Sequence, residues 1–105
     1  MRETLPESQH EPLPGLDPLL HQPVRTRLVI ALLGEKELSF TDLKAVLGVT
    51  DGNLDAHMKK LTEKGFIHTR MVSEGRPRTL YSLSSSGKKA VTSYLKNVKD
   101  LLKGL

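Results

Sequence analysis

The chain has 105 residues, 37% of them hydrophobic, two Phe, two Tyr, no Trp and no Cys, and a formal charge of +4. That length fits one small domain with a modest core, for which self-association is a plausible way to bury more surface. The missing cysteines exclude disulfides and thiolate metal sites, and no apolar run reaches the roughly 20 residues that span a bilayer.

The mean hydropathy of -0.32 and pI of 9.5 fit a soluble basic protein, but the charge is unevenly placed. Through Gln22, Arg2 stands against Glu3, Glu7, Glu11 and Asp17, which leaves -3; from Pro23 onward 15 basic and 8 acidic residues leave +7. A domain this basic favours polyanionic partners through phosphate contacts and counterion release. Residues 1–15 hold Pro6, Pro12, Pro14 and Gly15 among polar and charged residues. They read as a flexible N-terminal tail preceding a single domain, 16–105. The glutamates and the lack of an apolar run are unlike a signal peptide, so a cytoplasmic location is expected.

Asp17–Leu33 is the first helical region. Asp17 can cap a short turn with Pro18 next to it, and Pro23 restarts the helix. Val24, Leu28, Ala31 and Leu32 recur at helical spacing, and Gly34 is expected to stop it. After a short extended segment, Glu37–Leu38, Ser39 and Asp42 have the spacing of a capping box. Phe40, Leu43, Val46 and Leu47 are expected to face inward, with Gly48 closing this helix. Thr50 then caps a helix over Asp51–Lys64. Leu54, Met58 and Leu61 form its buried stripe. At about 100° per residue the opposite face carries Gly52, Asn53, Ala56, Lys59 and Lys60, with His57 at its edge. Gly65 ends the helix. Phe66–Val72 and Thr79–Leu83 are β-rich runs around the tip Glu74-Gly75-Arg76-Pro77-Arg78. Ser84, Ser85 and Ser86 cap a last helix running to about Lys103. It places Val91, Tyr94, Leu95, Val98, Leu102 and Leu105 on one stripe and Lys88, Lys89, Lys96, Lys99 and Lys103 over much of the rest.

In this order the residues resemble the winged-helix transcriptional regulators of the MarR/ArsR superfamily, and most of all its small single-domain members. The resemblance is carried by Leu16–Arg25, by Thr50-Asp51-Gly52-Asn53-Leu54 with His57-Met58-Lys59-Lys60-Leu61, by Lys64-Gly65-Phe66-Ile67, by Glu74–Leu83, and by Ser84-Ser85-Ser86-Gly87. It implies an α+β, mostly α fold: a winged helix-turn-helix with a two-stranded wing and a C-terminal dimerisation helix, 86–103. It also implies a homodimeric, double-stranded DNA-binding transcription factor, in such families most often a repressor. The helix 51–64 would enter the major groove, and the wing 73–78 would reach the backbone or minor groove. No cofactor is implied. Metal-sensing members of the superfamily use Cys, His and carboxylate ligands, whereas this chain has no Cys and its His10, His21, His57 and His68 lack ligand spacing.

The DNA-binding candidates are Thr50, Gly52, Asn53, His57, Lys59, Lys60, Lys64, Arg70, Arg76 and Arg78. Asn53 either hydrogen-bonds a base or tightens the first turn. Gly52 permits close approach of the helix start to a phosphate. Lys59 and Lys60 suit phosphates or a solvated face, while Lys64 and Arg70 rank behind them. Pro77 stiffens the loop that holds out Arg76 and Arg78, whose guanidinium groups suit a narrow minor groove. The dimer-interface candidates are Leu19, Leu20, Val91, Tyr94, Leu95, Val98 and Leu102; Tyr94, Leu95 and Val98 serve helix packing or line an effector pocket at the seam. The serine run is explained by a helix cap. No phosphate loop, zinc motif or paired-carboxylate arrangement points to an enzyme. The alternative reading is a winged-helix protein-interaction module with an incidental basic face. The sequence leaves any small-molecule effector unspecified.

Overall fold

The first helix owes its start to local chemistry. In the computed structural model, which describes residues 16–105, the Asp17 carboxylate accepts the Leu19 amide at 2.9 Å. Its carbonyl accepts the amides of Leu20 and His21 at 3.0 and 2.8 Å, closing one turn. The acidic segment 1–15 lies outside the described residues. Gln22 then caps α1 (Pro23–Glu35) by accepting the Arg25 amide at 2.8 Å, and Pro23 supplies its fixed φ at the first position. Gly34 does not stop α1, contrary to expectation. The helix runs one residue past it, and the chain turns at Lys36, a non-glycine with φ 74° and ψ -53°. The Glu37 amide donates to the Glu35 carbonyl at 2.9 Å across Lys36, a γ-turn of the strained positive-φ kind.

That turn delivers β1 (Leu38–Ser39) and α2 (Phe40–Leu47). The capping box forms as expected: Ser39 Oγ accepts the Asp42 amide at 3.1 Å and the Asp42 carboxylate accepts the Ser39 amide at 3.3 Å. Leu43 and Leu47 bury. Val46, expected inward, is 56% exposed: at about 100° per residue it stands well off the bearing that the buried Leu43 and Leu47 share. Gly48, at φ 67°, takes the left-handed position that ends α2. Thr50 Oγ1 accepts the Asn53 amide at 3.1 Å to start α3 (Asp51–Glu63). Leu54 and Leu61 are fully buried and Met58 nearly so.

β2 (Ile67–Val72) and β3 (Arg78–Leu83) pair antiparallel from Ile67 opposite Leu83 to Val72 opposite Arg78. The short extended segment expected before α2 joins the two-stranded wing as a third strand of the sheet. Leu38 and Ser39 pair with Tyr81 and Leu80, giving the order β1-β3-β2. α4 (Ser85–Lys103) packs on α1 and β3. The serine cluster fastens its start. Ser84 Oγ accepts the Gly87 amide at 3.0 Å and donates to the Gly65 carbonyl at 2.6 Å, to which Ser86 Oγ also donates at 3.1 Å. One core unites these elements, with Leu20, Leu28, Val29, Leu32, Leu43 and Val91 at its centre beside the α3 leucines.

Two glycines separate packing from shape. A Cβ on Gly87 would overlap the Phe66 carbonyl, whereas one on Gly52 would meet nothing within 4 Å. Gly87→Ala is expected to destabilise the fold by about 1–3 kcal/mol in urea unfolding. Gly52→Ala is expected to be neutral or stabilising, by up to about 1 kcal/mol. Equal midpoints for the two variants would contradict the Gly87 contact.

Candidate nucleic-acid interface

Burial of one stripe of α3 sets what the helix presents. Gly52, Asn53, Ala56, Lys59 and Lys60 are all exposed, as the helical period requires. Thr50 is exposed, but its hydroxyl accepts the Asn53 amide, so its first role is the cap. The open space around Gly52 leaves the helix start unobstructed. Asp51, Asp55 and Glu63, which the sequence reading passed over, are exposed on the same helix. With Lys59 and Lys60 they leave α3 one negative charge in net terms. Asp51 is engaged by the Lys44 ammonium of α2 in an ion pair, and as a first-turn carboxylate it also suits the helix dipole. Their signal was present in the thirteen residues after Thr50; the basic count of the whole domain obscured it.

His57 is not a free edge histidine. Arg25 Nη1 donates to its Nδ1 at 3.0 Å while Arg25 Nε donates to the Leu19 carbonyl at 2.6 Å. Arginine can only donate, so the neutral ring keeps its proton on Nε2. Burial, then the charges of Arg25 and Lys60, hold the His57 pKa below the ordinary imidazole value. Arg25 therefore ties the turn before α1 to α3.

The structure separates the remaining cations into paired and unpaired sets. Arg70, a candidate phosphate contact, is occupied: its Nε and Nη2 donate to the two Glu37 carboxylate oxygens at 2.9 and 2.8 Å. The shared hydrogen bonds lower the Glu37 pKa and raise that of Arg70. Because β3 lies between β2 and β1, this pair struts the wing across its central strand. Among the described residues, Lys59, Lys60, Lys64, Arg76 and Arg78 have no ion-pair partner. Lys60 and Lys64 sit at the C-terminal end of α3 beside Asp17 and Leu19. Arg76 and Arg78 line a cleft of about 420 Å³ with Ser39, Thr41 and Tyr81, between the wing and the start of α2. Gly75, at φ 68°, makes the turn into them. The unpaired cations thus gather in two places, the C-terminal half of α3 and the wing beside the start of α2.

The candidate dimer residues divide differently. Leu20 and Val91 are fully buried within the protomer and leave no surface for a partner, and Tyr94 is 5% exposed. The Tyr94 hydroxyl shares a 2.8 Å hydrogen bond with His21 Nδ1. Leu19, Leu95 and Val98 are half-buried against the core. Leu102 is 62% exposed, continuous with Leu101 and Leu105, which the sequence-based interface set left out. Leu16, Tyr94, Val98 and Leu102 line one apolar cleft there. Among the described residues, no three His, Asp or Glu side chains gather as a metal site, and no helix is long and apolar enough to cross a membrane.

The comparisons with known proteins agree with this geometry. The profile of the winged helix DNA-binding domain family matches residues 24–102. An uncharacterized protein of Methanocaldococcus jannaschii is 36% identical over 83 residues, 78% of this chain and 90% of that one. A transcriptional regulator homologue from Pyrococcus horikoshii OT3 superposes with a TM-score of 0.77 at 32% identity, over 82% of this chain and 86% of its own. The transcriptional repressor BigR from Xylella fastidiosa gives 0.62 at 28% identity over 74% of each chain. With its winged helix-turn-helix and its likeness to transcriptional regulators, the chain belongs to the winged helix DNA-binding domain family.

Proposed function

We propose that this DNA-binding regulator acts in the cytoplasm as a homodimeric, sequence-specific repressor, with α3 in the major groove and the wing on the backbone or in the adjacent minor groove. The observation that carries the reading is an exposed, small-residue face on α3 together with unpaired cations on the C-terminal half of that helix and on the wing. The major groove, about 12 Å wide, admits one α-helix. Asn53, exposed near the α3 start, has the donor and acceptor needed to read adenine. The neutral His57 offers an Nε2 donor that needs no charge. The net negative charge of α3 means that the helix supplies readout rather than attraction. Attraction falls to Arg76, Arg78 and Lys64, and dimerisation adds a second set. The exposed apolar end of α4 supports a two-fold seam. Such a dimer reads half-sites about one helical turn apart. The likeness to BigR, which is named as a transcriptional repressor, supports repression over activation.

Fluorescence anisotropy against cognate and random duplexes over a salt series tests the reading. Arg76→Ala/Arg78→Ala is expected to weaken both by about tenfold or more and to reduce the log–log salt slope by up to about 0.9 per arginine. In the same titration Asn53→Ala is expected to remove about 1–3 kcal/mol of preference for the cognate duplex. Equal losses on both duplexes would remove Asn53 from base readout. Flat, weak binding by the wild type would favour a protein-interaction module.

Leu102→Asp places a charge on the exposed end of α4 without disturbing the protomer core. It is expected to sediment as a monomer at concentrations where the wild type is a dimer, with unchanged helical circular dichroism. A persistent dimer would locate the seam elsewhere.

The His57 environment predicts a pH dependence. The unfolded imidazole takes a proton near pH 6.5, but the folded one resists until lower pH because of burial and Arg25. Its stabilising contribution is therefore full above about 6.5 and lost as pH falls through the folded pKa. The urea midpoint of the wild type is expected to rise with pH across that window, and His57→Gln to flatten the rise. A wild-type slope retained in the variant would assign the titration to another group.

A further inference from the structure

The recognition surface leaves one strongly charged face of the molecule unused. α4 carries Lys88, Lys89, Lys96, Lys99 and Lys103 against a single carboxylate, Asp100, which Lys96 already pairs at 2.9 Å. All five lysines are exposed. At 3.6 residues per turn they fall within an arc of about 100°, and from Lys88 to Lys103 the stripe is about 22 Å long. The buried Val91 and Tyr94 lie roughly opposite. Helix stability does not explain this arrangement, because Lys96, Lys99 and Lys103 stand three and four apart and repel one another. Nor does the stripe belong to the surface described above. α4 meets the helix-turn-helix through its first turn, where Ser84 and Ser86 hold the Gly65 carbonyl, and packs otherwise on α1 and β3, so Lys96, Lys99 and Lys103 lie about 15 Å or more beyond that junction along the helix.

We propose that the lysine face of α4 is a second polyanion-binding surface, which takes the phosphate backbone of a duplex segment separate from the one held by α3 and the wing. The proposal rests on the DNA-binding reading above and extends it from one duplex to two. Charge complementarity is the warrant. Duplex DNA offers one negative charge per about 1.7 Å of axis, enough to meet every lysine along the stripe. Long, flexible lysines suit sequence-independent phosphate contact, and base readout is not required of them. The acidic segment before Leu16 is the competing occupant, since Leu16 is buried beside Tyr94 and Val98 of the same helix. Its Glu3, Glu7 and Glu11 stand beside Arg2 and are too few to neutralise five lysines.

The test is two-duplex capture by the full chain. One duplex bearing the palindromic site is held on beads, and a fluorescent duplex of unrelated sequence is added in solution at low salt. The wild type is compared with Lys96→Gln/Lys99→Gln/Lys103→Gln and with the corresponding triple Lys→Arg variant. Glutamine keeps the helix propensity, and circular dichroism confirms the fold. The wild type and the arginine variant are expected to capture the second duplex, and the glutamine variant about tenfold less, given the salt-dependent phosphate term it loses. Binding of the glutamine variant to the first duplex should stay within about twofold, as expected for a remote surface. Undiminished capture by the glutamine variant overturns the proposal, because the two recognition helices of a dimer would then be bridging. Firm wild-type binding of the first duplex without the second overturns it while sparing the DNA-binding reading. Binding of neither duplex overturns both. Capture that appears only after residues 2–15 are removed gives the stripe to the acidic segment, and the proposal is again overturned.

Discussion

Burial of Leu54, Met58 and Leu61 is the constraint on which the rest of the molecule depends. A helix has one rotational setting for a given buried stripe, so placing these side chains in the core fixes which residues face out. Both ends of α3 are then held by hydrogen bonds, local at its start and from the α4 serines at its end. Gly48 and the Thr50 cap determine where it begins. Gly65, whose carbonyl is gripped by Ser84 and Ser86, determines where it ends. A recognition surface on an element anchored at both ends spends little of its binding energy on ordering.

The electrostatics follow from that rigidity. Glu37 and Lys44 are used inside the molecule, one to strut the wing through Arg70 and the other to engage Asp51. The strained turn at Lys36 has a use in this light, since it directs the chain so that Glu37 meets Arg70 across β3. Both residues of that pair are exposed, so it contributes geometry more than stability. A wing stiffened at Arg70 and Pro77 holds Arg76 and Arg78 in fewer conformations, which would lower the entropy lost if they engage a ligand as proposed above. Arg25 likewise serves α3 indirectly, by keeping His57 neutral and seated.

Local chemistry was legible in the sequence, and long-range pairing was not. The caps at Ser39, Thr50 and Ser84, the left-handed Gly48 and the inner stripe of α3 each depend on residues within four positions of one another. The winged-helix order rested on that grammar. Gly34 and Val46 misled for the opposite reason. Continuing α1 past a glycine depends on what Glu35 and Lys36 do next, and Val46 stands at the edge of a stripe whose width only the packed partners set. The Arg70–Glu37 and Arg25–His57 contacts join residues more than 30 positions apart. No periodicity announces such pairs, so an arginine on a strand read as a free cation. Leu20 and Val91 were apolar in the right places, but a stripe cannot say whether its cover is the same chain or another.

That last ambiguity resolves along the length of α4. Near its start, Gly87 and Val91 press against the body of the protomer, closely enough that Gly87 admits no Cβ. Towards its end the same stripe emerges from the core, from Tyr94 at 5% exposure to Leu102 at 62%. The helix therefore changes duty as it proceeds, from closing its own core to offering an apolar surface, while the lysines keep one bearing throughout. A partner seated on the apolar end would leave the lysine faces of both copies outward, because burying unpaired ammonium groups at a seam is far costlier than burying leucine. A seam there would thus keep both stripes exposed instead of hiding them.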